Sequence, residues 1–257
     1  MMRIGIAGVT GRMGQLLVDE VSAVSAVLVG GITSPGSAKP TPAGVALFPD
    51  LTALAGQSDV VIDFTHASAA STHAKILAAA GKSWILGTSG LSLEAEAAVA
   101  DAAKKIPIVY ASNFAAGVNL VLALAEKMGT ALPAATYDAE ISETHHRQKV
   151  DSPSGTAIGI GRAVAAGRGI KLEDNMVSGR HGHSGARKTG EIGFSAIRAG
   201  QVVGEHTLLF ASATEHIVLS HRAFDRRAFA SGAVRAALWL QGKPARLYDM
   251  MDVLGMR

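Results

Sequence analysis

The sequence has 257 residues, of which 48% are hydrophobic and 18% charged, and it contains no cysteine. Such a chain carries ample material for one large domain or two ordinary ones and is not globally disordered; the missing cysteines exclude disulfides and thiolate chemistry and suit a reducing, cytoplasmic setting. Its 24 basic and 21 acidic residues leave a formal charge of only +3, too even for a nucleic-acid partner but suited to a small anion.

The chain begins "MMRIGIAGVTGRMG", whose apolar run breaks too early for a secretory signal, and no later stretch reaches the ~20 apolar residues of a membrane span. "MRIGIAG" reads as a strand, "RMGQLLVDEVSA" as a helix and "AVLVGGI" as a second strand, followed by a Pro/Gly loop over 34–44. Strands are predicted at 59–65 and 106–114 and a strand with its turn at 83–90, separated by the helices "ASAASTHAKILAAAG" and "SLEAEAAVADAAKK", the latter capped by Ser92. Near-continuous apolar strands alternating with helices imply a parallel, doubly wound α/β sheet covered on both faces.

After "FAAGVNLVLALAEKMG", a buried or amphipathic helix, the texture changes. "YDAEISETHH" alternates like a strand, "SPSGTAIGIGRAVAAG" is helical, and β segments follow from "GEIGFSAIRAG" to "HIVLSHRA", which implies a second, α+β domain on a mixed sheet. The glycine-rich basic loop over 179–193 could cover a site, bridge subunits or simply move. "HRAFDRRAF" reads as a solvated face, and "RRAFASGAVRAALWLQGK" returns to helical spacing.

Two segments carry chemistry. In "GIAGVTGRMG", Gly8, Gly11 and Gly14 lie between a strand and a helix, where glycines let the backbone approach a dinucleotide pyrophosphate held by free helix amides. The second strand should then end in an acid for the adenosine ribose. Thr33 and Ser34 stand there instead, with Lys39 and Arg12 as nearby cations able to accept a 2′-phosphate, which points to NADPH, or to use of both NADPH and NADH. "GTSG" at 87–90 and "SNF" at 112–114 stand at further strand ends, suited either to a ribose and nicotinamide or to ordinary turns.

The second segment is "ETHHRQKVDSPSGTA", residues 143–157. Ser152 is the expected N-cap and Pro153 the first helical residue, which leaves the amides of Ser154, Gly155 and Thr156 as a carboxylate cradle. His145, His146, Arg147 and Lys149 precede it, and His145 and Lys149 share a face if the segment stays extended. A zinc site is not expected, because adjacent histidines point to opposite faces and no third ligand stands at metal spacing. His181, His183, His206, His216 and His221 have no comparable context.

These residues resemble the 4-hydroxy-tetrahydrodipicolinate reductase family (dihydrodipicolinate reductases) of lysine and diaminopimelate biosynthesis. The resemblance rests on "GVTGRMG", "VVIDFT", "GTSGL", "SNFAAGVN", "ETHHRQKVDSPSGTA", "GEIGFSAIRAGQVVGEHT" and "GAVRAALWL", and runs from residue 4 to about residue 253. It implies a homotetramer with a Rossmann-type dinucleotide domain, residues 1–116 plus 227–257, and a substrate-binding and oligomerisation domain, residues 117–226. It further implies that His145 and Lys149 are catalytic and that His146, Ser154, Gly155 and Thr156 hold a small dicarboxylate. The cofactor would lie against Gly8, Val9, Thr10, Gly11, Arg12, Met13, Gly87, Thr88, Ser89, Ala111, Ser112, Asn113 and Phe114. Relatives commonly carry an acid and a base where this chain has Thr33 and Ser34. Two other readings share the nucleotide half: a dehydrogenase of aspartate or another small amino acid, and a nicotinamide-sensing regulator without turnover.

Overall fold

A computed structural model describes residues 1–34 and 36–256. Pro35, in the loop expected over 34–44, and Arg257, the end of the expected 227–257 segment, lie outside the described residues. The chain divides into two compact units, Met1–Ala116 with Arg227–Arg257, and Gly117–Arg226.

The first unit runs β1 (Met2–Ala7), α1 (Arg12–Ser22), β2 (Ala26–Ile32), α2 (Leu51–Gln57), β3 (Val60–Asp63), α3 (Ala70–Ala80), β4 (Ser83–Leu86), α4 (Leu93–Ala103) and β5 (Ile108–Tyr110). The second holds α5 (Ala116–Ala131), β6 (Asp138–His145), α6 (Gly155–Gly167), β7 (Met176–Ser178), β8 (Ile192–Arg198), β9 (Gly204–Ala211) and β10 (His216–Ala223). The chain then returns to the first unit with α7 (Arg227–Trp239), β11 (Leu247–Tyr248) and α8 (Met250–Leu254).

The first sheet has the order β11-β5-β4-β3-β1-β2, and every pairing in it is parallel. Side chains alternate along each strand, so Ile4, Ile6, Val60, Ile62, Ile85 and Val109 enter one core with α1 and α7. Val61, Trp84, Leu86 and Ile108 enter the opposite core with α2, α3 and α4. Two buried faces explain why these strands read as unbroken apolar runs. The strand expected over 106–114 is shorter than its apolar signal, and 111–114 form a loop beyond β5. Ser92 caps α4 as expected, accepting from the Ala95 amide at 3.2 Å; α2, β11 and α8 were not foreseen.

The second sheet has the order β10-β9-β6-β8-β7, antiparallel across β10-β9-β6 and parallel across β6-β8-β7. One face, with Ala139, Ile141, Phe194, Leu208 and Phe210, packs with Ala125 of α5 and with Ile160 and Val164 of α6. The other face carries Ile197 and Val218, 53% and 58% exposed. Arg180 and Arg187 tie the 179–193 loop to Glu140 and Glu191. No helix among the described residues is long and apolar enough to cross a membrane.

Candidate active site

Sheet order reverses around β1, with β2 on one side and β3 on the other, and in such sheets ligands bind beyond the carboxyl ends of the strands. The β1–α1 turn stands there. Gly8 takes φ 83°, in the left-handed region that glycine enters without strain. A Cβ on Gly14 would lie 2.2 Å from the Gly8 carbonyl oxygen, so its absence lets α1 close on the strand. The amides of Gly8 and Val9 donate to the Ile32 carbonyl, and that of Gly11 to Gly8. Those of Arg12 and Met13, the first residues of α1, have no acceptor within the helix. Val9 is buried and Met13 packs on the same core, so either could meet a ligand only through its backbone.

Thr10 and Thr33 share a hydroxyl hydrogen bond of 2.6 Å, while Ser34 is exposed. Gly87 to Ser89 follow β4, and the buried Thr88 donates to the Thr65 carbonyl at 2.9 Å. Asp63, fully buried at the end of β3, accepts from the Thr65 amide and hydroxyl and pairs with His73 Nδ1 at 2.7 Å. Beyond β5, Ala111 binds back to Leu86, Ser112 is exposed, and Asn113 accepts from the Ala115 amide. Phe114 is buried with its ring 5.7 Å from that of Phe64. A glycine turn, a helix mouth and hydroxyl-bearing strand ends fit a dinucleotide cofactor.

In the second unit β6 alternates, so Glu143 and His145 point to the buried face toward α6. His145 Nδ1 lies 2.5 Å from Glu143 Oε2. Arg198, registered opposite His145 on β8, donates to both Glu143 oxygens at 2.9 Å. Burial pushes the Glu143 carboxyl up, but the hydrogen bonds from Arg198 and His145 outweigh it and hold it below its usual range.

The helix begins two residues later than expected. Ser154, not Ser152, is the N-cap of α6, its hydroxyl accepting from the Ala157 amide at 3.2 Å, and Pro153 lies outside the helix. The Ser154 amide is not free either, because it donates to Glu143 Oε1 at 3.1 Å. The cradle therefore reduces to Gly155 and Thr156, the first two helical residues.

Nor does the strand extend to Lys149. It ends at His145, and a turn closed by the Lys149 amide on the His146 carbonyl carries the lysine round. The Lys149 ammonium meets the Asp151 carboxylate at 2.8 and 2.9 Å, which holds the Asp151 carboxyl below its usual range. His146 Nδ1 is buried without a partner, and Arg147 is exposed.

Sequence reasoning missed five participants. Glu143 was legible as the residue two before His145 on the same strand face, and Asp151 lay within the quoted stretch. Arg198 was not legible, because only the β6–β8 register brings it in. His206 and His221, set aside as scattered, are registered partners on β9 and β10. The His206 ring lies 5.0 Å from that of His145 and bonds the Ser154 hydroxyl at 3.1 Å. No metal-binding group of three histidine or acidic residues occurs among the described residues.

The family model described as "Dihydrodipicolinate reductase, N-terminus" matches residues 2–114, and that described as "Dihydrodipicolinate reductase, C-terminus" matches residues 117–254. The chain belongs to the dihydrodipicolinate reductase family. The C-terminal family model reaches past the second unit and takes in α7, β11 and α8, which complete the first. The chain is 66% identical to the 4-hydroxy-tetrahydrodipicolinate reductase of Granulibacter bethesdensis, over 100% of this chain and 98% of that protein. It is 57% identical to that of Gluconacetobacter diazotrophicus, over 99% and 98%. Dipicolinate-bound dihydrodipicolinate reductase from Paenisporosarcina sp. TG-14 has the same fold, with a TM-score of 0.81 at 24% identity over 98% of each chain.

Proposed function

We propose that this member of the dihydrodipicolinate reductase family reduces 4-hydroxy-tetrahydrodipicolinate to tetrahydrodipicolinate, a step of lysine and diaminopimelate biosynthesis: the hydroxylated ring loses water, and the conjugated cyclic imine dicarboxylate so formed takes up a hydride and a proton. The carrying observation is that His145, Lys149 and the open mouth of α6 gather in one unit, around an imidazole whose Nδ1 is already engaged. A sensor would need no such proton donor.

When bound, a reduced pyridine nucleotide supplies the hydride. The residues that would hold it are Gly8, Thr10, Gly11, Arg12, Thr88, Ser89, Ser112 and Asn113, with Val9, Met13, Gly87, Ala111 and Phe114 serving through backbone or packing. This chain's own chemistry is to position a doubly negative ring and protonate it. Lys149, His146 and the Gly155 and Thr156 amides oppose the two carboxylates, and Ser154 holds the helix mouth in place. Substrate would draw Lys149 from Asp151 and give the buried His146 Nδ1 a partner. His145 delivers the proton that quenches charge developing on the ring.

We infer that NADPH is accepted at least as well as NADH. The hydroxyl of Thr33 is committed to Thr10, the sequence has no Asp or Glu between Glu20 and Asp50, and Ser34, Lys39 and Arg12 suit a 2′-phosphate. We further infer a homotetramer, supported by the exposed Ile197 and Val218 on the open face of the second sheet. The cytoplasm suits both a supply of reduced cofactor and a chain without cysteine.

A coupled assay decides the matter: the unstable substrate is generated by the preceding synthase, and loss of NADPH or NADH is followed by absorbance. Turnover with both cofactors is expected. No oxidation of either, or oxidation of aspartate in the presence of NAD(P), would reject the reading, and a strong NADH preference would reject the cofactor inference. Sedimentation tests the tetramer.

A further inference from the structure

We propose that Glu143 is a positioning residue for the proton transfer, holding the His145 imidazole with its proton on Nδ1 so that Nε2 is the nitrogen that exchanges with substrate. This rests on the role proposed for His145 and deepens it.

The Glu143 side chain is 1% exposed. Its Oε2 receives His145 Nδ1 at 2.5 Å and Arg198 Nη1 at 2.9 Å, and its Oε1 receives Arg198 Nη2 at 2.9 Å and the Ser154 amide at 3.1 Å. A guanidinium and a backbone amide can only donate, so they oblige both oxygens to accept. An ionised carboxylate has no proton to offer, so His145 must present Nδ1–H to it, and the free lone pair or proton moves to Nε2.

Arg198 is itself fixed. Its Nη2 donates to the Asp151 carbonyl at 2.6 Å, its Nη1 to the Ile197 carbonyl at 2.7 Å, and its Nε to the Lys149 carbonyl at 3.3 Å. Glu143 thus sits where β6, β8, the Lys149 turn and the start of α6 converge, and one carboxylate sets the imidazole and the helix mouth together. A buried acid that fixes a catalytic imidazole in this way is a general device of proton-transfer sites.

The titratable and charged groups facing His145 are Glu143 on its own strand, Arg198 on β8, His206 on β9 and Lys149 in the turn, with His221 on β10 beyond His206. His206 is held neutral down to about 4.

Nitrogen-15 NMR of the histidines in the intact enzyme should show neutral His145 as the Nδ1–H tautomer; a proton on Nε2 overturns the proposal whether or not any variant folds. In Glu143→Gln, Arg198 claims the amide oxygen and turns the amide nitrogen to the ring, moving the proton to Nε2. Turnover should then fall roughly 10²-fold with KM changed by less than about threefold. Glu143→Asp, which keeps an anionic acceptor, should recover part of the loss. A folded Glu143→Gln enzyme with near-normal turnover and an unchanged nitrogen pattern overturns the proposal and leaves Glu143 a structural residue. His145→Gln at near-normal turnover would reject the catalytic reading of His145, while the tautomer measurement still reports on Glu143.

Discussion

Gly204 on β9 is shaped to the ring of His145: a Cβ at that position would stand 2.9 Å from the imidazole Nε2 and 3.3 Å from Cδ2. Gly204 opens β9, so room for the imidazole is provided by a neighbouring strand and not by a loop. Gly204→Ala should displace the ring while leaving the sheet intact. Turnover should drop by about 10- to 100-fold, as expected for a misplaced catalytic group, with an unchanged circular dichroism spectrum. Wild-type turnover in the alanine variant would show that the ring can shift without consequence.

His145 and Lys149 are expected to matter for different reasons. His145→Gln removes the proton and should lower kcat by at least ~10²-fold. Lys149→Met also removes a charge that opposes substrate carboxylates, so KM should rise as kcat falls by a comparable factor. Steady-state kinetics on both variants separate the two patterns. An unchanged KM for the methionine variant would count against lysine as a carboxylate contact.

Stability should depend on His206 in a defined pH window. Burial first, then the neighbouring His145 and His221, lower its pKa from 6.5 to about 4. Between those values the unfolded chain binds the proton and the folded one does not. Stability therefore falls as pH falls from 6.5, and the loss levels off below about 4. Glu143, whose folded pKa is depressed, adds its own loss as pH falls below about its ordinary value of 4.5. Urea titrations at intervals across the window should show a shallower slope for His206→Asn than for the wild type, with the remainder carried partly by His221, whose pKa burial also lowers. Equal slopes would place the imidazole's proton affinity elsewhere.

Gly14→Ala should weaken nucleotide binding and folding together. The added methyl would meet the backbone of Gly8 and Val9 at 2.2 and 2.6 Å, and backbone cannot rotate away. Overpacking of this kind costs about 1–3 kcal/mol, and prying α1 from β1 should raise the NADPH dissociation constant at least tenfold. Denaturation midpoints and fluorescence titration of NADPH test the two effects on one sample.

Ser154→Ala should cost about 1 kcal/mol by removing the cap of α6, and should also loosen His206, which shares that hydroxyl. Thermal melts of the variant with and without dipicolinate would show whether the helix mouth still binds a dicarboxylate.

The sequence declared the first sheet because β3 and β4 are buried on both faces, so apolar runs such as "VVID" have no alternation to obscure them. The glycine turn declared itself by spacing. The start of α6 did not. Ser152 and Ser154 flank Pro153 and either could cap the helix; the choice falls on Ser154 because Glu143 takes its amide and His206 its hydroxyl, both from other strands. Arg198 lies 55 residues from Glu143 in the chain, and no local pattern announces a cation brought in by strand register. His206 and His221 look isolated in sequence for the same reason: adjacent antiparallel strands set them opposite one another. Chemistry confined to one segment was legible, and chemistry assembled across strands was not.

The first sheet is begun by the earliest residues and finished by the latest, since β11 pairs with β5 and α7 packs against α1. During synthesis the ribosome releases every residue of 117–226 before it releases the pieces that close the nucleotide unit. A chain ending near residue 226 would hold every residue of the second unit and lack α7, β11 and α8 of the first. Folding of the first unit therefore has to wait for residues 227–257, while every residue of the second is already in hand.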